Sequence, residues 1–143
     1  MNTSADLAVS KTDSPDPVIA GNKLIFGDQG GKFGVGATVM AVSKQTGALL
    51  WTTKVEDHFA AIITQSAIWD EGSNIVYVGV ASNEEAFAAF IPGYECCSFR
   101  GSMLALDVNT GAIVWKTYVA PSGYSGNAIW GSSPAIDPKR GQV

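Results

Sequence analysis

The chain has 143 residues and a mass of 14.9 kDa, 46% of them apolar and only 15% charged, which is the composition of one folded domain and excludes a disordered chain. Nine basic against thirteen acidic residues leave a net charge of −4 and a pI near 4.7, with no Lys/Arg cluster, so no nucleic-acid partner is expected. No uncharged apolar run reaches the ~18 residues that a membrane span requires.

In chain order, residues 1–16 are rich in Ser, Thr and Asp, end at a pair of prolines (Pro15 and Pro17), and read as a disordered tail without the apolar segment of a secretory signal. The apolar segments on either side of Gly21-Asn22 predict a hairpin over 18–27. The run Gly30-Gly31-Lys32-Phe33-Gly34-Val35-Gly36 has no Ser or Thr after its lysine and no dinucleotide spacing, so it reads as a strand connection and not as a phosphate loop.

An internal repeat follows. Residues 39–51 align without a gap with 103–115 at an offset of 64 (41 to 105, 47 to 111, 51 to 115), with Ala, Thr, Gly, Ala and Trp identical. Each copy predicts a strand, a Thr-Gly turn in which glycine takes positive φ, and a second strand carrying the tryptophan. A second echo starts at Ala67-Ile68 and runs through a turn into 75–79; Ala135-Ile136-Asp137 begins in the same way. Each unit is therefore expected to hold four short strands, in units near 17–54, 59–119 and, incompletely, 127–143. The strands over 75–81 and 112–119 carry few charges, which predicts cover on both faces. Repeated small sheets covered on both faces point to an all-β fold, a partial β-propeller of about two four-stranded blades plus the start of a third, in preference to a sandwich. Propellers close with roughly 4–8 blades. The chain is accordingly expected to be a piece of a larger propeller, or to close as a homo-oligomer.

The two units differ in one place. Gly27 to Ala41 spans 14 residues and Gly79 to Ala105 spans 26, so the second unit carries 12 more between its middle strands. Residues 82–90 there predict one or two helical turns, with a Ser or Asn cap and acids in the first turn. Extra length on a rigid repeat marks binding or catalysis. The lone histidine, His58, reads as structural, and Ser125, Ser132 and Ser133 have no matched His/Asp partners for nucleophilic catalysis. Cys96 and Cys97 are the only cysteines. With His58 far away they form no zinc ligand set, and without a spacer they are no redox-shuttle motif. Two states stay open: free thiols acting as small apolar groups, or a disulfide between neighbours, which requires an oxidising compartment (secreted, periplasmic or endomembrane).

The Ala-x-x-x-x-Thr-Gly-x-x-x-Trp units, with Cys96-Cys97 ahead of Phe99-Arg100-Gly101, resemble pyrroloquinoline quinone (PQQ) propeller repeats, in particular those of the polyvinyl-alcohol-dehydrogenase-like quinoproteins and their plant relatives. The resemblance covers roughly 18–143. It implies PQQ bound with a calcium ion on the propeller axis, oxidising a small or polymeric alcohol by hydride transfer. It further implies Cys96 and Cys97 as a disulfide near the cofactor, Arg100 as partner of a cofactor carboxylate, Trp130 against the quinone ring and Glu95 as a candidate calcium ligand. Trp51 and Trp115 take the family's structural role, docking between blades. The family's catalytic carboxylate would lie past Val143, so the isolated chain is expected to be inactive; the alternative function is a non-enzymatic scaffold built from the same repeat.

Overall fold

The computed structural model describes residues 17–29, 36–131 and 133–143. The expected tail 1–16, the run 30–35 and Ser132 lie outside the described residues. The first sheet is an antiparallel meander of β1 (Val18–Ala20), β2 (Lys23–Gly27), β3 (Ala37–Ser43) and β4 (Leu49–Glu56), paired in that order. The second is built from β5 (Ala61–Ile62), β6 (Ile68–Asp70), β7 (Ile75–Ser82), β8 (Ser102–Asp107) and β9 (Ile113–Tyr118). Here β6 pairs with the start of β7 (Asp70 opposite Ile75) and β5 with its end (Ala61 opposite Ser82). One short helix, α1 (Glu84–Phe90), interrupts the path from β7 to β8. The architecture is all-β and fits two propeller blades.

The repeated hairpins share more than composition. Ser43 N–H bonds to Ala48 O at 2.8 Å and Gly47 N–H to Ser43 O at 2.8 Å; Asp107 N–H to Ala112 O at 2.9 Å and Gly111 N–H to Asp107 O at 2.8 Å reproduce the pair. Each turn is thus wider than a two-residue loop, and the register slips beside it, between Ala41 and Val42 and between Ala105 and Leu106. The threonines close the turn, with Oγ1 of Thr46 and of Thr110 accepting from the amide two residues on.

The two sheets pack on each other through β4 and the second hairpin. Trp51 is 8% exposed, and its Nε1 donates to Val108 O at 3.1 Å. Its ring lies on Gly111, where a Cβ would sit 2.5 Å from ring carbon Cε3; Gly111 also has φ +73°, so both space and backbone demand glycine. Thr53 Oγ1 donates to Gly111 O at 2.7 Å, and Lys116 Nζ reaches back to Val55 O at 2.8 Å and Glu56 Oε2 at 2.7 Å. One core of buried side chains, among them Ile25, Val39, Val55, Ile63, Val78, Val80 and Leu104, runs through both sheets.

Cover on both faces holds for β7 but not for the strand expected over 112–119. In β9, Ile113, Val114, Trp115 and Tyr118 are exposed, Trp115 by 37%. Trp115 rests on Tyr77 with centroids 5.8 Å apart and makes none of the hydrogen bonds that its repeat counterpart Trp51 makes.

In an up-down-up-down sheet, the connection between the middle strands and the exit of the last strand lie at the same end. The α1 insertion and the segments leaving β4 and β9 therefore gather at one end of the structure. Loops carried on a rigid scaffold in this way are where binding residues collect.

Candidate functional site

At that end the segment from 94 to 101 descends from α1 into β8 and crosses the exit of β4. Cys96 and Cys97 are joined as a disulfide across a cis peptide bond, and no free cysteine remains. Cys96 is exposed and Cys97 half-buried. The following residues are laced to 125–127: Ser125 Oγ donates to Cys97 O, Gly126 N–H to Phe99 O at 2.9 Å, and Gly101 N–H to Asn127 O at 2.9 Å.

Beneath this loop sits Glu84, the first residue of α1 and only 1% exposed. Its Oε1 accepts from Tyr94 Oη at 2.7 Å, Ser98 N–H at 2.9 Å and Ser98 Oγ at 2.9 Å; its Oε2 accepts from Phe99 N–H at 2.7 Å. Burial alone would raise its pKa, but these amides and hydroxyls outweigh burial and hold it below the ordinary 4.5. Burial and the Glu84 charge together push the Tyr94 phenol up to about 12. Of the two expected caps, Asn83 makes no side-chain bond, whereas Ser82 Oγ accepts from Glu84 N–H at 3.4 Å; both acids stand in the first turn as expected, with the Glu84 side chain turned into the loop.

His58 completes the arrangement. Its Nδ1 accepts from Ala60 N–H at 3.2 Å, so the ring proton is on Nε2, which faces Ser98 Oγ at 3.0 Å. The hydroxyl in turn donates to Glu84. The imidazole stacks on Phe59 and meets the edge of Phe99, while Phe59, Phe87 and Tyr94 cluster behind it.

A cavity of about 210 Å³ opens here, lined by Glu56, His58, Ser98, Phe99, Arg100 and Tyr118. The Arg100 guanidinium lies 4.1 Å over the Tyr118 ring, and its Nη2 donates to Ala120 O at 2.6 Å. Its buried Nε has no partner. Glu56 is held below the ordinary carboxylate value because Lys116 and the amides of His58 and Asp57 outweigh its burial.

Of the residues singled out in the sequence, Arg100 lines the cavity, whereas Cys96, Cys97, Glu95 and Trp130 do not. Glu95 is exposed, and among the described residues no group of three or more His, Cys, Asp or Glu could hold a metal ion. Trp130 is 47% exposed on the segment tied to β7 by Ile129 N–H to Val80 O at 3.2 Å. Sequence reasoning missed Glu84, Ser98 and the part His58 plays. The only signal was their membership in, or contact with, the inserted segment.

No family model matches the chain. It is 38% identical over 119 residues to a polyvinylalcohol dehydrogenase of a Pseudomonas species and 39% over 116 residues to one of a Sphingopyxis species. These matches cover 73% and 71% of the chain, which spans only 18% and 17% of those relatives. Among solved structures, it matches a europium-containing methanol dehydrogenase with a TM-score of 0.50 at 26% identity, covering 71% of this chain and 14% of that one. A quinohemoprotein alcohol dehydrogenase from Pseudomonas putida matches with a TM-score of 0.55 at 21% identity, over 73% of this chain and 13% of that one. One from Comamonas testosteroni matches at 0.53 and 20%, over 73% and 20%, and these two likenesses concern the fold. With its repeated hairpins and two stacked sheets, the chain resembles PQQ-type quinoprotein propeller repeats and is similar in sequence to polyvinyl alcohol dehydrogenases.

Proposed function

We propose that this chain is a stretch of a PQQ-dependent dehydrogenase acting on small or polymeric alcohols, and that the cavity beside Arg100 receives a carboxylate of the cofactor. The observation that carries this reading is the state of Arg100. Its guanidinium is oriented by the Tyr118 ring and by Ala120 O, and its Nε is buried without an acceptor. A buried donor without a partner is costly, and a planar carboxylate satisfies a guanidinium edge with two parallel bonds. When bound, the quinone supplies the acceptor for the hydride of the alcohol. The chain's own residues anchor and orient that group: Arg100 binds it, His58 and Ser98 offer polar contacts in the same cavity, and the Cys96–Cys97 disulfide and Trp130 are surfaces within the same loop system.

Calcium fits less well. The ion takes about six to eight oxygens, and Glu95, exposed and alone, offers one carboxylate. In this reading the metal's other ligands come from outside the described residues, and the isolated chain binds PQQ without turning alcohol over. The disulfide favours a secreted, periplasmic or endomembrane setting.

Titration of the 143-residue chain with PQQ, followed by tryptophan fluorescence, tests the proposal. Saturable quenching is expected, weakened at least about tenfold in Arg100→Ala, the scale of one charge-assisted pair. Absence of saturable quenching overturns the reading in favour of a non-enzymatic scaffold; equal quenching by the variant removes Arg100 from the site.

A further inference from the structure

The residues that hold Glu84 flank the disulfide on both sides. Tyr94 lies two positions before Cys96, and Ser98 and Phe99 follow Cys97 directly. One carboxylate therefore closes the loop into a clasp, with Glu95, Cys96 and Cys97 as its outer arc and Arg100 leaving its far end into the cavity. Both carboxylate oxygens are committed, and four donors converge on a group that is only 1% exposed. Glutamates are almost never this buried unless paired, and the four donors that pair this one all belong to the 94–99 loop and none to its own helix. The hydrogen-bond chain from Ala60 N–H through His58 and Ser98 has a single direction and ends on Glu84 Oε1, so the clasp is also tied to the segment that leaves β4.

We infer that Glu84 is a positioning residue: its carboxylate fixes the 94–99 loop so that the Cys96–Cys97 disulfide and the Arg100 guanidinium are presented together, as one preformed surface. What is presented does not depend on the identity of the ligand; that the ligand is PQQ rests on the proposed function above. Preorganisation of this kind contributes to affinity by removing the ordering cost from the binding step.

The test compares the wild-type chain with Glu84→Gln and, should that variant fail to fold, with Ser98→Ala and Tyr94→Phe, each of which removes one donor. Two readouts are taken on folded protein. The first is the rate at which a water-soluble phosphine reduces Cys96–Cys97 in native buffer, scored as two thiols released. The second is the PQQ quenching constant. The expectation is reduction about tenfold faster in Glu84→Gln and weaker quenching, with near-ultraviolet circular dichroism from Trp51 and the core unchanged. Faster reduction with no PQQ binding by any form supports the clasp and sinks the cofactor reading alone. Reduction at the wild-type rate in a folded Glu84→Gln chain overturns the clasp, whatever the quenching shows.

Discussion

Glu84 and Tyr94 exemplify how one contact sets two opposite titrations. The Glu84 carboxyl, like that of Glu56, is depressed below 4.5 in the folded chain. The unfolded chain takes up protons first as pH falls, so the stability these groups contribute is complete above about 4.5 and is lost as pH drops through their folded values. Denaturant midpoints measured against pH are expected to stay level down to about 5 and fall below about 4.5; Glu84→Gln is expected to shallow that acid limb, and an unchanged limb would contradict the assignment. Tyr94 has the reverse sign. Its folded value of about 12 lies above the unfolded value of about 10, so its contribution disappears as pH rises between the two. An ultraviolet titration should show a phenol ionising near 12 that is missing from Tyr94→Phe, and identical curves for the two proteins would refute it. None of this was visible in the sequence. An acid opening a helix reads as a partner of the dipole, and only the return of the chain fourteen residues later shows that it faces inward.

The strands and hairpins were far more legible, because a hairpin is local and its signals repeat. Thr46-Gly47 and Thr110-Gly111 place the turns, and the alternation of β3 between buried and half-buried positions follows from strand period. The pairing of β5 with the far end of β7 was not legible: two residues carry no periodic pattern. Trp51 and Trp115 occupy equal places in the repeat but unequal surroundings, which sets a clear expectation for their energies. Trp51→Ala removes a buried ring and a hydrogen bond and should cost about 3–5 kcal/mol. Trp115→Ala removes a ring already 37% exposed and should cost about 1 kcal/mol or less. Chemical denaturation of both variants checks this, and equal losses would mean that Trp115 is covered in solution.

At the level of the whole molecule, the repeat pointed to stacked sheets, and the sheets do stack on a shared core. The site was less accessible, since its cavity draws on Glu56 at the end of β4 and His58 just after it, on Ser98 to Arg100 some forty residues on, and on Tyr118 at the end of β9. The exposed apolar strip of β9 bears on association. We expect light scattering to show mass increasing with concentration as copies cover Ile113, Trp115 and Val119, and a strict monomer across the range would count against self-association of this face.

The docking of Trp51 on the second hairpin also gives each unit a front and a back. The front offers hydrogens, from an indole and a threonine hydroxyl; the back offers carbonyl oxygens beside a glycine that leaves room for the ring. Gly47, the first unit's counterpart of Gly111, has open space where that ring would lie, while Trp115 stands without a seat. Like meeting like would strand donors against donors, so units of this kind can queue only nose to tail, and the direction of the queue is written into which strand carries the tryptophan.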